Sequence, residues 1–297
     1  MTLTPAITRW LTDQIGTLNH TKKIAASTST TLYYVRDSDN RGYVLRLYDN
    51  DGWNALEPDL CQHEAMALQA VTQIDLPTPR LIAHEPDPSV AGVSLLLMSQ
   101  LEGTVVLKSD NMDDYLQQAA HALAKIHHAP ITDFAWHFKR YKPPNKLIIP
   151  TWTKQNMIWE QIITTVRQSV PPSPTIFIHR DYHMANYLWQ DGKLSGVVDW
   201  INACLGPAGM DVGHIRVNLA ELHGVAIADK FLDAYQCANP DFVYHPYWDM
   251  VAVCDVYLYD DNPPIVYQPW VEYGITDLTD ALILKRAEAY VASLLNR

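Results

Sequence analysis

The sequence predicts an α+β chain of two lobes, a small β-rich one followed by a larger, mainly helical one. Three observations carry this. Short strand-like runs separated by polar turns crowd the first 100 or so residues. Apolar residues recur at helical spacing from Met112 onward. Between them in character stands Ile176–Trp200, an apolar run, a polar loop and two short strands set inside the helical part.

In the first lobe, Pro5–Ile15 reads as a short amphipathic helix. Lys22–Ala26, Leu32–Arg36 and Tyr43–Tyr48 read as strands, with polar turns at Ser27–Thr31 and Asp37–Gly42. Glu57–Val71 is helical by its apolar positions Leu60, Ala65, Leu68 and Val71, and Pro77 and Pro79 lie beyond its end. Leu81–His84 and Val93–Ser99 complete a small antiparallel sheet with a helix against it. A connector near Leu101–Gly103 separates residues 1–102 from residues 103–297.

In the second lobe, Leu116, Ala119, Ala120, Leu123, Ile126 and His127 mark one helix. Tyr141–Pro150 is a proline-broken loop, and Trp152–Val170 a second helix. Asp191-Gly192 is the turn of a hairpin. Helices are predicted at Asp211–His223, Ala226–Cys237, Pro246–Tyr259 and Asp277–Leu295.

Bulk properties exclude several classes. The 297 residues carry a formal charge of −11, which argues against nucleic acid as a partner, because counterion release needs a basic surface. No apolar run approaches the roughly 18 residues of a membrane span, and the N-terminus lacks the basic and apolar regions of a signal peptide. Cys61, Cys204, Cys237 and Cys254 show no C-x-x-C pairing and read as buried thiols of a cytoplasmic protein.

The polar residues of Ile176–Trp200 carry the chemistry. Asp181, Asn186 and Asp199 are separated by five and thirteen residues. That order and spacing suit phosphoryl transfer, with one carboxylate at the attacking hydroxyl and an amide and a second carboxylate on a metal ion. Asn186 and Asp199 supply the hard oxygen ligands that Mg²⁺ takes. Each residue alone has a plainer use, Asp181 and Asn186 in turns and Asp199 as a helix cap; it is the joint pattern with His179 that argues for chemistry. His179 and His183, four apart on a loop, have no third ligand at a zinc-like spacing, which counts against a metal hydrolase. His179 is instead assigned to packing and hydrogen bonding within the loop.

This run, His179, Asp181, Asn186, then Asp199-Trp200 after a hairpin, resembles the aminoglycoside phosphotransferase and choline kinase-like family. The resemblance implies a bilobal protein-kinase-like fold and a small-molecule kinase using ATP and Mg²⁺. It makes Asp211, in Gly206-Pro207-Ala208-Gly209-Met210-Asp211, the buried residue that steadies the catalytic loop. Val44-Leu45-Arg46-Leu47 resembles the strand with the phosphate-binding cation, and Gln62-His63-Glu64-Ala65 the helix whose Glu pairs with it. Leu97–Gly103, with Met98, Gln100 and Leu101, resembles the hinge against which adenine lies.

Two features depart from the family. Arg46 stands where a kinase usually has Lys; on strand alternation it shares a face with Val44 and Tyr48 and can point into the cleft. No G-x-G-x-x-G is present, and Ser27, Thr28 and Ser29, in the turn between the first two strands, take the place of the phosphate loop. Trp200 after Asp199, His183 two residues after Asp181 and the lack of Ala-Pro-Glu favour a small-molecule acceptor over a protein.

For the acceptor, Phe231–Leu284 holds no Lys or Arg but nine carboxylates and eleven aromatic residues. Asp255, Asp260, Asp261 and Trp270 are the candidate pocket for a cationic hydroxyl compound: an aminoglycoside, a choline-like amine or an amino sugar. The same composition also describes a solvated acidic face over an aromatic core. The leading expectation is an ATP:hydroxyl phosphotransferase; the alternative is a nucleotide-binding pseudokinase with a regulatory role.

Overall fold

The computed structural model describes residues 3–24, 29–168 and 170–296. Helix α1 (Pro5–Ile15) starts where Thr4 caps the amide of Ile7. It lies on a five-stranded antiparallel sheet of order β1-β2-β3-β5-β4. The strands are β1 (Leu18–Ile24), β2 (Thr31–Asp37), β3 (Gly42–Tyr48), β4 (Leu81–Glu85) and β5 (Ser94–Ser99). Alternation divides the two faces. Leu45, Leu47, Leu95 and Leu97 pack with Ile7, Trp10 and Leu11 of α1, while Tyr48, Leu96 and Met98 join the main core on the other side. Arg46 therefore faces inward, as alternation predicts.

The boundaries differ in places. β1 begins at Leu18 rather than Lys22 because it is an edge strand with solvent on both faces, and so shows no apolar alternation. The expected Glu57–Val71 helix is the shorter α3 (Leu60–Ala70), and a separate helix that was not expected, α2 (Asp51–Leu56), precedes it. Asn50 caps α2 through its side chain, and Pro58 interrupts the amide pattern between them. A single helical turn, α4 (Pro88–Ala91), precedes β5.

The larger lobe contains α5 (Met112–His127), α6 (Asn156–Arg167), α7 (Ala208–His223), α8 (Val225–Ala238), α9 (Pro246–Tyr257), the short α10 (Gln268–Glu272) and α11 (Asp280–Ser293). Helix α11 starts three residues late because Thr279 caps it. β6 (Ile176–Ile178) pairs with β9 (Cys204–Gly206), and β7 (Tyr187–Gln190) with β8 (Lys193–Val197). Asp191 and Gly192 both take positive φ at the hairpin turn. Helix α7 runs through the middle of the lobe, crossing α9 closely. A Cβ on Gly213 would sit 2.9 Å from the Trp248 carbonyl oxygen, so only glycine permits this approach.

Cys61, Cys204 and Cys254 are buried thiols, but Cys237 is exposed on the outer face of α8, against the expectation for all four. Among the described residues no helix is long and apolar enough to cross a membrane.

Candidate active site

The catalytic loop hangs between β6 and β7, and one carboxylate holds it. Asp211, fully buried in the first turn of α7, accepts from the backbone amides of His179 (2.8 Å) and Arg180 (2.7 Å). His127 of α5 meets the same carboxylate at 3.0 Å. Burial works against its ionisation, yet His127, His179 and the amide donors hold its pKa below the usual carboxylate range. Arg180 then takes a left-handed backbone (φ 70°), uncommon for a residue with a side chain. Its guanidinium turns to Asp255 of α9 (2.8 Å) and lies over the rings of Phe138 and Tyr141.

Asp181 follows, its side chain 27% exposed at the mouth of the loop. Its Oδ1 is 3.1 Å from Nε2 of His214 and 3.6 Å from Nε2 of His183. Burial by itself would raise its pKa; His183, His214 and His179 outweigh that and hold it far below the usual range. The group is thus a carboxylate at any physiological pH, partly exposed at the mouth. His214 escaped the sequence reading. The signal was there, since Asp211 and His214 are three apart on a helix and so share a face.

Asn186 closes the short turn Met184–Asn186 and donates through Nδ2 to the Asp181 carbonyl (2.9 Å). Its donor being used within the loop, its oxygen remains as a ligand atom. The backbone amide of Val198 donates to the Asn186 carbonyl (3.0 Å), which draws Asp199 beside it. His179 packs on Trp200, and its Nε2 meets the Val198 carbonyl (3.0 Å). Asp199 itself is left-handed (φ 67°), a conformation that Asp tolerates better than most residues.

Across the cleft, Arg46 is buried and reaches three partners. Its Nε is 2.9 Å from Glu64 Oε2, its Nη2 2.7 Å from Asp199 Oδ1, and its Nη1 donates to Thr30 Oγ1 (3.1 Å). A lysine ammonium on its single stem does not span three such sites; the guanidinium fork does. Burial raises the pKa of Glu64, opposed chiefly by the Arg46 charge. Tyr48 also donates to Glu64, while Glu64 Oε1 is buried with no hydrogen-bond partner among the described residues. The arrangement thus puts two oxygen donors, Asn186 and Asp199, next to a fixed cation, a set that fits a hard divalent ion and a phosphate.

The other predicted positions divide. Ser27 and Thr28 lie outside the described residues; Ser29 is half-buried beside Thr30, which makes the contact to Arg46. In the hinge, the Gln100 amide donates to the Gly42 carbonyl (3.1 Å), Met98 is buried, and Leu101 packs against Gly196. Gly103, at φ 118°, turns the chain toward the helical lobe.

The acceptor candidates are not brought together. Asp255 is only 8% exposed and neutralises Arg180. Asp261 accepts from the amide and hydroxyl of Thr151, both 2.8 Å. Trp270 is 2% exposed and packs in the core against Tyr267. Asp260 alone of the four is exposed with only a local contact, to the Asn262 amide. Asp249, from the same acid-rich stretch, is buried against Arg216, Tyr244 and Tyr290. The physical reason is general: a carboxylate on the inner face of a helix needs a cation, and here the cations come from other elements. Near Asp181 stand instead Tyr141, His183 and His214.

Comparison with known proteins agrees with this geometry. The chain superposes on a candidate aminoglycoside phosphotransferase from Ralstonia eutropha JMP134 with TM-score 0.66, 15% identity and 98% of each chain covered. It superposes on aminoglycoside phosphotransferase APH(4)-Ia with TM-score 0.62, 15% identity and 97% and 98% covered. For macrolide 2′-phosphotransferase MphH from Brachybacterium faecium the values are 0.58, 16%, and 86% and 89%. No curated protein matches it in a sequence comparison. The model of the phosphotransferase enzyme family matches residues 20–247, and the chain, with its kinase fold and its loop steadied by Asp211, belongs to that family and is a small-molecule kinase.

Proposed function

We propose that this protein transfers the γ-phosphoryl group of ATP, with Mg²⁺, to a hydroxyl of a small molecule. The observation that carries the proposal is the meeting of Asp181, Asn186 and Asp199 on one side of a cleft with the Arg46–Glu64 pair on the other. A variant of APH(4)-Ia has been crystallised with ADP and hygromycin B, which supports a nucleotide in the equivalent cleft here. In this reading residues 1–102 hold the nucleotide through the hinge at Met98, Gln100 and Leu101 and through Ser27, Thr28 and Ser29. Residues 103–297 hold the catalytic loop and the acceptor, and the protein works in the cytoplasm without nucleic acid.

Asp181 receives the acceptor hydroxyl. As the hydroxyl oxygen bonds to the γ-phosphorus, the bond from that phosphorus to the bridging oxygen of ADP breaks. The hydroxyl proton passes to Asp181 late in the step. His214 and His183 keep the carboxylate ionised and aimed. Asn186 and Asp199 would hold Mg²⁺, whose chemistry is to neutralise charge on the phosphates. Arg46, held by Glu64, would direct its fork to the phosphates.

For the acceptor, the sequence argued for a cation. With Asp249 and Asp255 engaged by internal arginines and the Tyr141 ring covered by Arg180, that preference now rests on Asp260. A specific observation favours the second reading, a pseudokinase: Arg46 already occupies an oxygen of Asp199. One experiment separates the two. ATP and Mg²⁺ are incubated with hydroxylated amines, sugars and macrolides, and phosphorylated product is detected by mass. Product from at least one class supports transfer. Nucleotide binding without product from any of them supports the pseudokinase. Mg-ATP should also raise Tm, and much less so in Asp199→Ala; equal shifts would remove the metal role.

A further inference from the structure

In the sequence His183 has no partner ligand at a zinc-like spacing beyond His179, which the fold turns to Trp200; the fold instead brings His183 to Asp181 and, from another element, to His214. We propose that Asp181, His183 and His214 form a binding site for a divalent transition-metal ion, zinc above all, separate in chemistry from the oxygen ligands Asn186 and Asp199. The three ligand atoms are Asp181 Oδ1 and Nε2 of each histidine. The carboxylate Oδ1 is 3.1 Å from His214 Nε2 and 3.6 Å from His183 Nε2, and one ligand atom from each of the three residues lies within 4.8 Å of the other two. A tetrahedral zinc ion with bonds near 2 Å separates its ligands by about 3.3 Å, so a small imidazole rotation completes the set.

The donor types point the same way. Two imidazoles and one carboxylate suit zinc and its neighbours, whereas Mg²⁺ prefers oxygen and keeps its water. The site is walled but open, with the Asp181, His183 and His214 side chains 27%, 15% and 16% exposed. That leaves a fourth position toward the mouth, as in zinc sites that exchange a water. Its frame is firm. His214 sits on α7 one turn after Asp211, which anchors the loop bearing Asp181, and His183 opens the turn Met184–Asn186. The adjacent cation, Arg180, is turned away toward Asp255.

Two contacts oppose binding. His183 Nδ1 accepts from the Ala185 amide at 3.3 Å, and the Asn186 Nδ2 lies 3.2 Å from His183 Nε2. A metal on Nε2 displaces the second and, by placing the ring proton on Nδ1, breaks the first, so the affinity falls below that of a closed four-ligand site. An ion held there takes the oxygen that the acceptor hydroxyl needs, making zinc an inhibitor; this consequence, unlike the binding, rests on the proposed function.

The test uses the full chain, stripped with a chelator and free of nucleotide, titrated with Co²⁺ and with Zn²⁺ in excess Mg²⁺. One ion per chain, with the visible absorption of four-coordinate cobalt, is expected. His214→Gln and His183→Gln should each weaken binding at least about tenfold, comparable to or beyond the loss of an outer partner. His121→Gln, on the exposed face of α5, should not. Should one site variant fail to show a cooperative thermal transition, the other carries the comparison. Absence of stoichiometric binding, or binding unchanged in the folded site variants, overturns the site. Because no nucleotide or acceptor is present, that failure leaves phosphotransfer standing, and an enzyme inactive on every acceptor leaves the metal site standing.

Discussion

The catalytic loop, from Ile176 to Asp211, and the acid-rich stretch from Phe231 to Leu284 are both dense in carboxylates, yet the fold uses them oppositely. In the loop, Asp211 is buried to hold backbone amides so that Asp181 and Asp199 stay partly exposed at the cleft. In the later stretch, Asp249 and Asp255 are buried against Arg216 and Arg180, and Asp277 pairs with Lys108 on the surface. A carboxylate therefore says little by its presence. What matters is whether it keeps an exposed edge at the cleft, as Asp181 does and as Asp199 does despite its contact with Arg46, or is sealed against a cation in the core.

The comparison breaks most directly at Asp181. Asp181→Ala should cut transfer by about 10²–10⁴ while leaving nucleotide binding and Tm nearly unchanged; a large loss of stability would place it with the buried acids instead. Asp255→Ala should do the reverse. It strands the buried Arg180 guanidinium and should cost about 3–5 kcal/mol of stability by denaturant unfolding. If Asp255 instead served the acceptor, stability would hold and KM would rise.

Glu221, buried on α7, sharpens the contrast through pH. Burial pushes its pKa up to about 7, with the neighbouring Tyr257 hydroxyl only partly offsetting it. The folded state then binds the proton more tightly than the unfolded chain, so this contribution to stability is complete below the unfolded carboxyl pKa, near 4.3, and declines as pH rises to about 7. Glu221→Gln should flatten that decline in a series of melts across pH 4 to 8. The smallest effect belongs to Asp260→Asn, an exposed site where stability should move by no more than about 0.5 kcal/mol. A rise in KM for a cationic acceptor, with none for a neutral one, would bring it into the acceptor site.

Much of the fold was legible because its signals are local. Leu45 and Leu47 alternate with Arg46 and Tyr48, and that period alone turns Arg46 inward. The cap at Thr279 defines a helix start that composition blurs. The edge strand β1 was misplaced because neither of its faces is buried, leaving no pattern to read. The acceptor candidates failed to converge for a different reason. Asp255, Asp261 and Trp270 find their partners in Arg180, Thr151 and Tyr267, which only packing discloses.

By itself the sequence determined the motif of Asp181, Asn186 and Asp199, the family, and the inward face of Arg46, since these depend on short spacings along one chain segment. The tertiary structure decided which charges are free. It set His214 against Asp181, gave Asp255 to Arg180 and bridged Glu64 to Asp199 through Arg46. Such pairings follow from the cost of burying a charge alone, and the partner that relieves it is chosen by proximity in space, not in sequence.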